Sequence, residues 1–305
     1  MKDCKLKRKL LAIYEVFYEA RRIFILRTAY RLHIMTSKNT LHYIAKHNCS
    51  IARYGDGEFD LITSSRDLKF QSRDPDLANR LSEVLKRNDP RLLLCVPRCL
   101  NTVAGCTDHA ASFWIDWGRR NDHHKEVVNL IRAHAGPYYS FGDSLITRPF
   151  IDWTNPNHAK HLYPMLKQLW QDRDILIVEG AQSRLGVGND LFSNTRSIKR
   201  ILAPSINAFQ YYDEIKNVIL NHYQGELILV ALGPTATVLA ADLSARDIQI
   251  LDIGNIDIEY EWFLRNERKR VAIPGKFTNE AKGVQIVADC NDEAYISQII
   301  ARVGC

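Results

Sequence analysis

Two carboxylates, Asp56 and Glu58, stand two residues apart within residues 50–59, and a glycine precedes each of them. If the backbone there is extended, side chains two apart point to the same face, so the two carboxylates would converge on one point. Mg²⁺ and Mn²⁺ prefer such oxygen ligands and complete their coordination with phosphate oxygens and water. The same letters are also typical of a surface turn, because Gly-Asp-Gly is common turn chemistry. The spacing alone leaves both interpretations open.

A second group of acids lies between residues 252 and 261 and comprises Asp252, Asp257, Glu259 and Glu261. If residues 257–261 form a strand, three of these carboxylates line one face; if they form a helix, Asp257 and Glu261 still share a side. Closely set carboxylates raise one another's pKa, which is how a general base is made. A solvated acidic face is the alternative.

Three arginines, Arg53, Arg148 and Arg184, each stand beside a loop that contains glycine and polar residues. A planar guanidinium is well suited to paired phosphate oxygens, although any single arginine can equally form a surface or structural salt bridge. Residues 233–237, with Thr235 at their centre, would place backbone N–H groups and a hydroxyl at a helix N-terminus, where a phosphate can bind. No dinucleotide-binding glycine fingerprint follows a strand and no P-loop is present, which disfavours dehydrogenases and P-loop enzymes.

Short apolar runs alternate with amphipathic segments along the chain. The runs at 91–97, 174–179, 226–232 and 248–253 predict buried strands, and helices are expected at 39–47, 76–86 and 110–134, the last with Phe113, Trp114 and Trp117 in the core. The predicted fold is α/β, a Rossmann-like, mainly parallel sheet with flanking helices. Because ligands bind beyond the carboxyl ends of such strands, the loops after the strands ending near Tyr54, Tyr139, Glu179, Leu232 and Ile253 should form one site.

The N-terminal residues 1–38 are predicted to be a basic amphipathic helical arm, with helix over residues 6–35, and residues 39–305 are predicted to be the main domain. Residues 1–31 carry nine bases and three acids, and 9 − 3 = 6 equals the net charge of +6 of the whole chain. A nucleic-acid binder carries its positive charge on the folded domain, so no nucleic-acid partner is expected. The arm suits either the surface of an anionic membrane or packing on the main domain or on a second subunit, as in a homodimer.

The expected location is the cytoplasm, with the arm peripheral on the inner face of the membrane. Charged residues interrupt the apolar run of the arm, which leaves no transmembrane stretch, and no secretory cleavage pattern follows it. The seven cysteines are odd in number and lack Cys-x-x-Cys spacing. They indicate a reducing compartment and no zinc site.

Taken together, these motifs resemble the bacterial glycosyltransferases of the GT-D type, formerly a domain of unknown function found in polysaccharide and glycoprotein glycan clusters. The resemblance spans roughly residues 40–285. It is carried by five segments: residues 53–58, 140–149, 183–190, 233–237 and 252–263.

The resemblance implies a Rossmann-like enzyme that binds a UDP-hexose through a divalent metal, Mn²⁺ or Mg²⁺, and transfers the hexose to a glycan or lipid-linked glycan acceptor. The Asp-x-Glu metal motif of the family falls on Asp56 and Glu58. A carboxylate of the 252–261 segment would orient or deprotonate the acceptor hydroxyl, with Asp257 the preferred residue and Glu259 the other candidate. The residues expected near the nucleotide sugar are Arg53, Asp143, Ser144, Arg148, Ser183, Arg184, Asn189, Asp190, Thr235, Asp252 and Asn255. The chain departs from the family at Asn255, where a histidine is expected, and an amide cannot act as a base or carry a charge.

Two other functions are compatible with the same loops. One is a metal-dependent nucleotide phosphotransferase or hydrolase, which would release phosphate in place of transferring a sugar. The other is a nucleotide-sugar-binding partner subunit with weak or lost catalysis, which Asn255 and the basic arm favour.

Overall fold

The structure is a computed structural model that describes residues 31–64, 66–136, 138–281 and 287–304. Most of the expected arm, residues 1–30, therefore lies outside the described residues. The helix predicted over 6–35 is wrong at its C-terminal end, because His33–Ile34 is a short strand that pairs with Ser140 and Phe141. Within the described ranges, no helix combines the length and the apolar character that crossing a membrane requires.

One sheet of nine parallel strands forms the centre of the molecule, so the predicted α/β class is confirmed. The strands are β1 (His33–Ile34), β2 (Ser50–Arg53), β3 (Leu92–Val96), β4 (Ser140–Asp143), β5 (Asp174–Gly180), β6 (Ser197–Ala203), β7 (Leu227–Ala231), β8 (Ile250–Asp252) and β9 (Ile299–Arg302). Their order across the sheet is β1-β4-β3-β2-β8-β7-β5-β6-β9. Strand β2, which leads to Asp56, is therefore central.

Helices cover both faces of the sheet. They are α1 (Ser37–His47), α2 (Asp56–Thr63), α3 (Pro75–Leu85), α4 (Asp108–Arg119), α5 (His123–Ala135), α6 (Asn157–Gln168), α7 (Tyr212–His222), α8 (Pro234–Ser244), α9 (Ile256–Leu264) and α10 (Glu293–Gln298). Helices α2, α3, α4, α5, α7 and α8 contribute to one hydrophobic core, and α1, α6 and α9 contribute to the other.

Alternation along the strands builds the two cores. In β3, Leu92, Leu94 and Val96 face the first core, whereas Leu93 and Cys95 face the second. All five side chains are buried, as expected for a parallel strand that is covered on both sides. The uninterrupted apolar run that predicted this strand is the direct result of that double burial.

The helical stretch predicted over 110–134 is two helices. Asn121 and Asp122 both adopt left-handed backbone angles, with φ of 51° and 57°, and these break the chain between α4 and α5. Trp114 and Trp117 are buried as predicted, but the prediction for Phe113 is wrong, since 43% of its surface is exposed. Phe113 instead lies edge-on against Trp114 at the surface of α4.

Candidate functional site at the carboxyl edge of the sheet

The proposed metal motif lies at the start of a helix and not in an extended loop. Asp56 is the first residue of α2 and Glu58 is the third, so the expectation that both carboxylates project from one extended face is wrong. On a helix, neighbouring side chains are three or four residues apart, and residues two apart diverge. Gly55, in extended conformation, begins the turn from β2 into this helix.

The Asp56 carboxylate lies within electrostatic range of charged groups from its own helix and from other segments. No described side chain forms a hydrogen bond with it, although Arg148, Asp60 and Glu280 are close enough to act on its charge. Burial raises the pKa of Asp56, Arg148 opposes that shift, and the negative charges of Asp60 and Glu280 add to it. A partly buried acid with raised pKa and no bonded side-chain partner is a group that a cation would stabilise.

Glu58 turns back onto the backbone. Its Oε2 atom accepts a hydrogen bond of 2.7 Å from the N–H of Gly55, as the acid of a capping box does. Burial raises the pKa of Glu58 to about 7, the bond from Gly55 opposes the shift, and the charge of Asp252 adds to it. Metal binding by this carboxylate would therefore compete with its capping of α2.

Arg53 holds the ends of three strands together. Its Nε donates to the Asp252 carbonyl at 2.7 Å and its Nη2 lies 2.9 Å from Asp252 Oδ1, at the end of β8. Its Nη1 donates to Ser144 O at 3.1 Å and to Thr147 Oγ1 at 2.7 Å, beyond β4. These contacts engage every nitrogen of the guanidinium within the protein.

Gly254 lets the Arg53 guanidinium pass over the end of β8. A Cβ atom on Gly254 would lie 1.9 Å from Arg53 Nη2, and its φ of +46° is itself unfavourable for other residues. The glycine that follows the strand is therefore required by the contact between Arg53 and Asp252.

Arg148 belongs to a closed ring of ion pairs with Asp152, Arg270 and Glu280. Its Nη1 and Nη2 lie 2.5 and 2.8 Å from the two oxygens of Glu280, and its Nε lies 3.2 Å from Asp152 Oδ2. Arg270 completes the ring, with Nε 2.7 Å from Glu280 Oε2 and a bond from Nη2 to Asp152 Oδ1. Burial opposes the ionisation of Glu280, but Arg148 and Arg270 outweigh it and lower the pKa to about 2.

Asn255 donates from Nδ2 to Glu280 Oε1 at 3.0 Å and so joins this ring at the start of α9. Sequence reasoning missed Asp152, Arg270 and Glu280. Glu280 is 132 residues from Arg148, and Arg270 is 118 residues from Asp152. Nothing in the local spacing indicates either contact.

The two acids expected to act on the acceptor lie in different surroundings. Asp257 is 2% exposed and is held by Lys276 Nζ at 2.6 Å, the N–H of Gly186 at 2.8 Å and Asn189 Nδ2 at 2.8 Å. Glu259 is fully buried beside the ion-pair ring.

Glu259 combines a raised pKa with one oxygen that accepts no hydrogen bond from the described residues. Its Oε2 accepts from the N–H groups of Phe150 and Ile151 at 3.3 and 3.1 Å, and its Oε1 has no hydrogen-bond partner among the described residues. Arg148 Nη2 lies 3.5 Å from that Oε1. Burial raises the pKa of Glu259 to about 8 against the effect of Arg148.

The loop of residues 183–190 packs onto α9. Asn189 donates to Asp257 and to Glu261 Oε1, each at 2.8 Å, and Tyr260 donates to Asp190 Oδ1 at 2.7 Å. Asp257 and Glu261 thus share one side of the helix, which is the arrangement expected if residues 257–261 are helical.

Two further residues of this loop were expected near the donor. Arg184 is 8% exposed and donates to Gly275 O at 2.8 Å and to Ala288 O at 2.5 Å. Ser183 remains partly exposed at the end of β5, beside Gly180 and Ser205.

Asp143 and Ser144 are both buried. Asp143 is fully enclosed, accepts from Ser37 Oγ at 2.7 Å and from the N–H of Leu145 at 3.0 Å, and thus caps the 3₁₀ turn Ser144–Thr147. Burial raises the pKa of Asp143. Both residues hold the end of β4 in place.

The predicted phosphate site at the N-terminus of α8 is covered. Thr235 is fully buried, its hydroxyl has no partner among the described residues, and Thr237 Oγ1 donates to Arg53 O at 2.8 Å. The ring of Phe70 lies so close to Gly233 that a Cβ atom there would meet it at 2.5 Å. The Thr235 side chain is thus enclosed in this structure, and phosphate binding at this helix N-terminus stays a prediction.

Among the described residues, no three His, Cys, Asp or Glu side chains come together as a preformed metal site. A metal at Asp56 would therefore take its other ligands from substrate and water, or from Glu58 after the carboxylate leaves its cap.

Residues 51–281 match the protein family described as Glycosyltransferase GT-D fold. This chain belongs to that family. The predicted resemblance is thereby confirmed, and the match extends from β2 to the segment that contributes Glu280 to the ion-pair ring.

Two curated relatives are named as glycosyltransferases. The chain is 38% identical over 275 residues to a probable glycosyl transferase of Streptococcus gordonii, covering 90% of this chain and 39% of the relative. It is 37% identical over 265 residues to glycosyltransferase GlyD of Streptococcus pneumoniae serotype 4, covering 87% of this chain and 32% of that protein. The chain thus spans less than half the length of either relative.

Solved structures share the fold. One, described as the highly conserved domain of unknown function 1792 with a distinct glycosyltransferase fold, superposes with a TM-score of 0.80 at 35% identity and covers 92% of this chain and 98% of its own. Another, described as a new glycosyltransferase from Streptococcus sanguinis, superposes with a TM-score of 0.80 at 37% identity. The match covers 89% of this chain and 99% of that structure's chain.

Proposed function

We propose that the chain is a metal-dependent glycosyltransferase that moves a hexose from a UDP-sugar to a hydroxyl of a glycan or lipid-linked glycan. The observation that carries the proposal is Asp56, a carboxylate at the carboxyl edge of a parallel sheet that has a raised pKa, feels the charge of Arg148 and has no bonded side-chain partner among the described residues. The GT-D family match supports the sugar-transfer chemistry.

The charges around Asp56 fit a divalent cation. Burial raises the pKa values of Asp56 and Glu58, so their charged forms are disfavoured in the folded protein, and a bound cation would stabilise those forms. Asp56 and Glu58 would hold Mn²⁺ or Mg²⁺, which when bound would offset the charge that develops on the departing diphosphate.

The residues of the chain have separate tasks in this proposal. Arg148 would orient phosphate oxygens with its guanidinium, and Asp152 and Glu280 fix the plane of that group. Arg53 keeps the ends of β2, β4 and β8 at a fixed separation and so positions Asp56 relative to Arg148.

Glu259 is the better proton acceptor of the two sequence candidates. Asp257 is paired with Lys276, whereas the pKa of Glu259 is about 8 and its Oε1, 3.5 Å from Arg148 Nη2, accepts no hydrogen bond from the described residues. A base with a pKa near the working pH can take a proton and return it readily. In its ionised form, which becomes more populated as the pH approaches 8, Glu259 would take the proton that leaves the acceptor hydroxyl, and Arg148 Nη2, 3.5 Å from its Oε1, favours that form.

The test replaces Asp56 by asparagine and measures UDP release and sugar transfer with Mn²⁺ present. Asp56→Asn should lower the rate of transfer at least 100-fold, an effect of the size expected for losing a charged ligand at the reacting centre. Asp108→Asn is the matched control, because Asp108 is also the first residue of a helix, α4, and is exposed. Normal transfer by Asp56→Asn, or by the wild type in excess chelator, would contradict the proposal.

Product analysis separates this function from the alternatives. A glycosyltransferase yields UDP and a glycan lengthened by one hexose, whereas a nucleotide phosphotransferase or hydrolase yields phosphate or a phosphorylated product. Asn255 gives the binding-subunit alternative its specific observation, because its amide is committed to Glu280 and cannot act as a base. UDP-sugar binding without turnover over an acceptor panel, restored by Asn255→His, would favour that alternative.

A further inference from the structure

A cavity of about 190 Å³ lies at the same edge of the sheet as Asp56 but farther along it. It is bounded by the first turns of α3 and α7 and by the 3₁₀ turn Ala208–Tyr211, which follows β6. Neither the proposed donor site nor any sequence motif uses these residues.

The floor of the cavity consists of side chains that bond to one another. The guanidinium of Arg80 lies over the ring of Tyr212 at 3.9 Å from its centroid. Asp242 Oδ2 lies 2.8 Å from Arg80 Nη2 and accepts a 2.8 Å bond from the Tyr212 hydroxyl. The charge of Arg80 is therefore neutralised within the protein, and the floor is not a free anion site.

One wall is the aromatic ring of Tyr211, which is 37% exposed. Gly304 supports it from behind: a Cβ atom on that glycine would approach the Tyr211 ring to 2.7 Å, and its φ is +58°. The C-terminal chain can pass this close only because the residue is glycine. The ring is thus held in place while part of its surface faces solvent.

The rim of the cavity consists of polar side chains that form few hydrogen bonds or ion pairs with the described part of the protein. Among the described residues, the side chains of Asp76, Gln210 and Glu214 make no hydrogen bond, and Asp213 has only Lys216, at 3.8 Å. These groups accept hydrogen bonds from hydroxyls, and Gln210 also donates them. An aromatic wall with a rim of carboxylates and an amide offers a sugar ring an apolar face and partners for its hydroxyls.

The cavity communicates with the candidate site through residues 66–74. In this loop Leu68 packs on Gly57 of α2 and Phe70 packs on Gly233, while Asn207, next to the cavity, bonds to Phe70 O and to the N–H of Ser72. Four inter-strand steps separate β2 from β6, a distance of about 19 Å. A ligand that reached both places would have to extend along the edge of the sheet.

We propose that this cavity is a subsite for a neutral sugar unit of the acceptor glycan, remote from the hydroxyl that reacts. The inference rests on the proposed glycosyltransferase function. It adds that the acceptor substrate is a glycan of several sugar units. The volume is below the roughly 300–1,000 Å³ of pockets for drug-sized ligands, which suits one ring and excludes a whole nucleotide sugar. The rim carries three carboxylates and repels phosphate groups.

Saturation-transfer NMR on the full chain would test the subsite with three neutral probes: methyl glucoside, methyl galactoside and N-acetylglucosamine. At least one should receive saturation from the wild-type protein, and saturating UDP should not displace it. Tyr211→Ala should weaken that binding at least fivefold. Tyr138→Ala should bind as the wild type does, because Tyr138 is an aromatic residue that is 89% exposed and far from the cavity in the sequence.

Because Tyr211 contacts Gly304, the double variant Gln210→Ala, Asp213→Asn provides a second test at exposed positions. It should also weaken binding while its thermal melting matches that of the wild type. The inference is overturned if none of the three sugars binds, if UDP displaces them, or if both variants that fold bind normally. Because sugar binding is measured without turnover, these outcomes are independent of the UDP-release assay that tests the proposed function.

Discussion

Single residues decide the electrostatics of the candidate site, and Glu259 is the clearest case. Its pKa is about 8 in the folded protein against an ordinary value of 4.5. Between pH 4.5 and 8 the Glu259 carboxyl is ionised in the unfolded chain and protonated in the folded chain. The free energy of unfolding therefore falls as the pH rises from about 5 to 8. The slope contributed is at most about 1.4 kcal/mol for each pH unit.

Glu259→Gln should remove that contribution and flatten the stability curve between pH 5 and 8, because the amide stays neutral and can still accept from Phe150 and Ile151. Urea unfolding at four pH values measures the change. Glu293→Gln, which neutralises an exposed carboxylate, should leave the slope unchanged. Parallel curves for Glu259→Gln and the wild type would show that burial does not hold the proton.

Gly254 gives a second prediction at the scale of the residue. Gly254→Ala should lower the free energy of unfolding by about 2–4 kcal/mol, because the methyl group would displace Arg53 as well as strain the backbone. Gly188→Ala is the control: its φ is +78°, but a Cβ atom there has no neighbour within 4 Å, so only strain of about 1–2 kcal/mol remains. Equal losses in urea unfolding would mean that the Arg53 contact adds nothing.

At the scale of elements, continuous apolar runs predicted β3, β5, β7 and β8 well, whereas β6, which contains a buried arginine, was missed. Residues 92–96 and 174–180 are strands that contain an uninterrupted apolar run, and this pattern alone predicts burial on both faces of the sheet. Strand β6 contains Lys199 and Arg200, so its sequence looks exposed. Arg200 is nevertheless 3% exposed, because Glu179 on the neighbouring strand pairs with it at 2.6 Å. A strand stabilised by a partner 21 residues away cannot be recognised from its own pattern.

The same limit applied to the candidate site. The sequence predicted Asp56, Arg148, Asp257 and Glu259 as site residues because each stands in or beside a polar loop or acidic cluster. It could not show that α2 begins at Asp56, since Gly-Asp-Gly-Glu fits a turn, a loop or a capped helix equally well. It also could not show that residues 66–74 fold over the start of α8, because that covering depends on Phe70 meeting Gly233, far away in the chain.

Helix α2 allows the two roles of Glu58 to be separated. Glu58→Gln keeps an oxygen for the N–H of Gly55, so stability should change by no more than about 0.5 kcal/mol, whereas Glu58→Ala removes the cap and should cost about 1 kcal/mol. If Glu58 also binds metal, Glu58→Gln should weaken Mn²⁺ binding at least tenfold, as measured by calorimetry at pH 7.5. Unchanged Mn²⁺ affinity in a stable Glu58→Gln variant would restrict Glu58 to capping.

At the scale of the whole molecule, the buried pair of Glu179 and Arg200 connects the C-terminal segment to the sheet. Arg200 Nε donates to Gln298 Oε1 at 2.7 Å, and its guanidinium lies 4.8 Å from the centroid of the Tyr295 ring. Strand β9 then pairs with β6 as the last strand of the sheet. One ion pair thereby supports both the pairing of β5 with β6 and the attachment of α10 and β9.

Arg200→Leu should therefore destabilise the protein by about 3–5 kcal/mol, because it leaves the Glu179 carboxylate buried without a cation. Adding Glu179→Gln should recover much of this loss, since the amide oxygen can still accept the 2.7 Å bond from the N–H of Leu185 and no buried charge remains.

In the double variant, the backbone amides of residues 299–302 should still exchange their hydrogens faster than in the wild type. The reason is that Gln298 and Tyr295 have lost their contacts with Arg200 in both variants. A double-mutant cycle by urea unfolding with hydrogen exchange separates the two effects. Additive losses, or unchanged exchange in β9, would show that this pair does not hold the edge of the sheet.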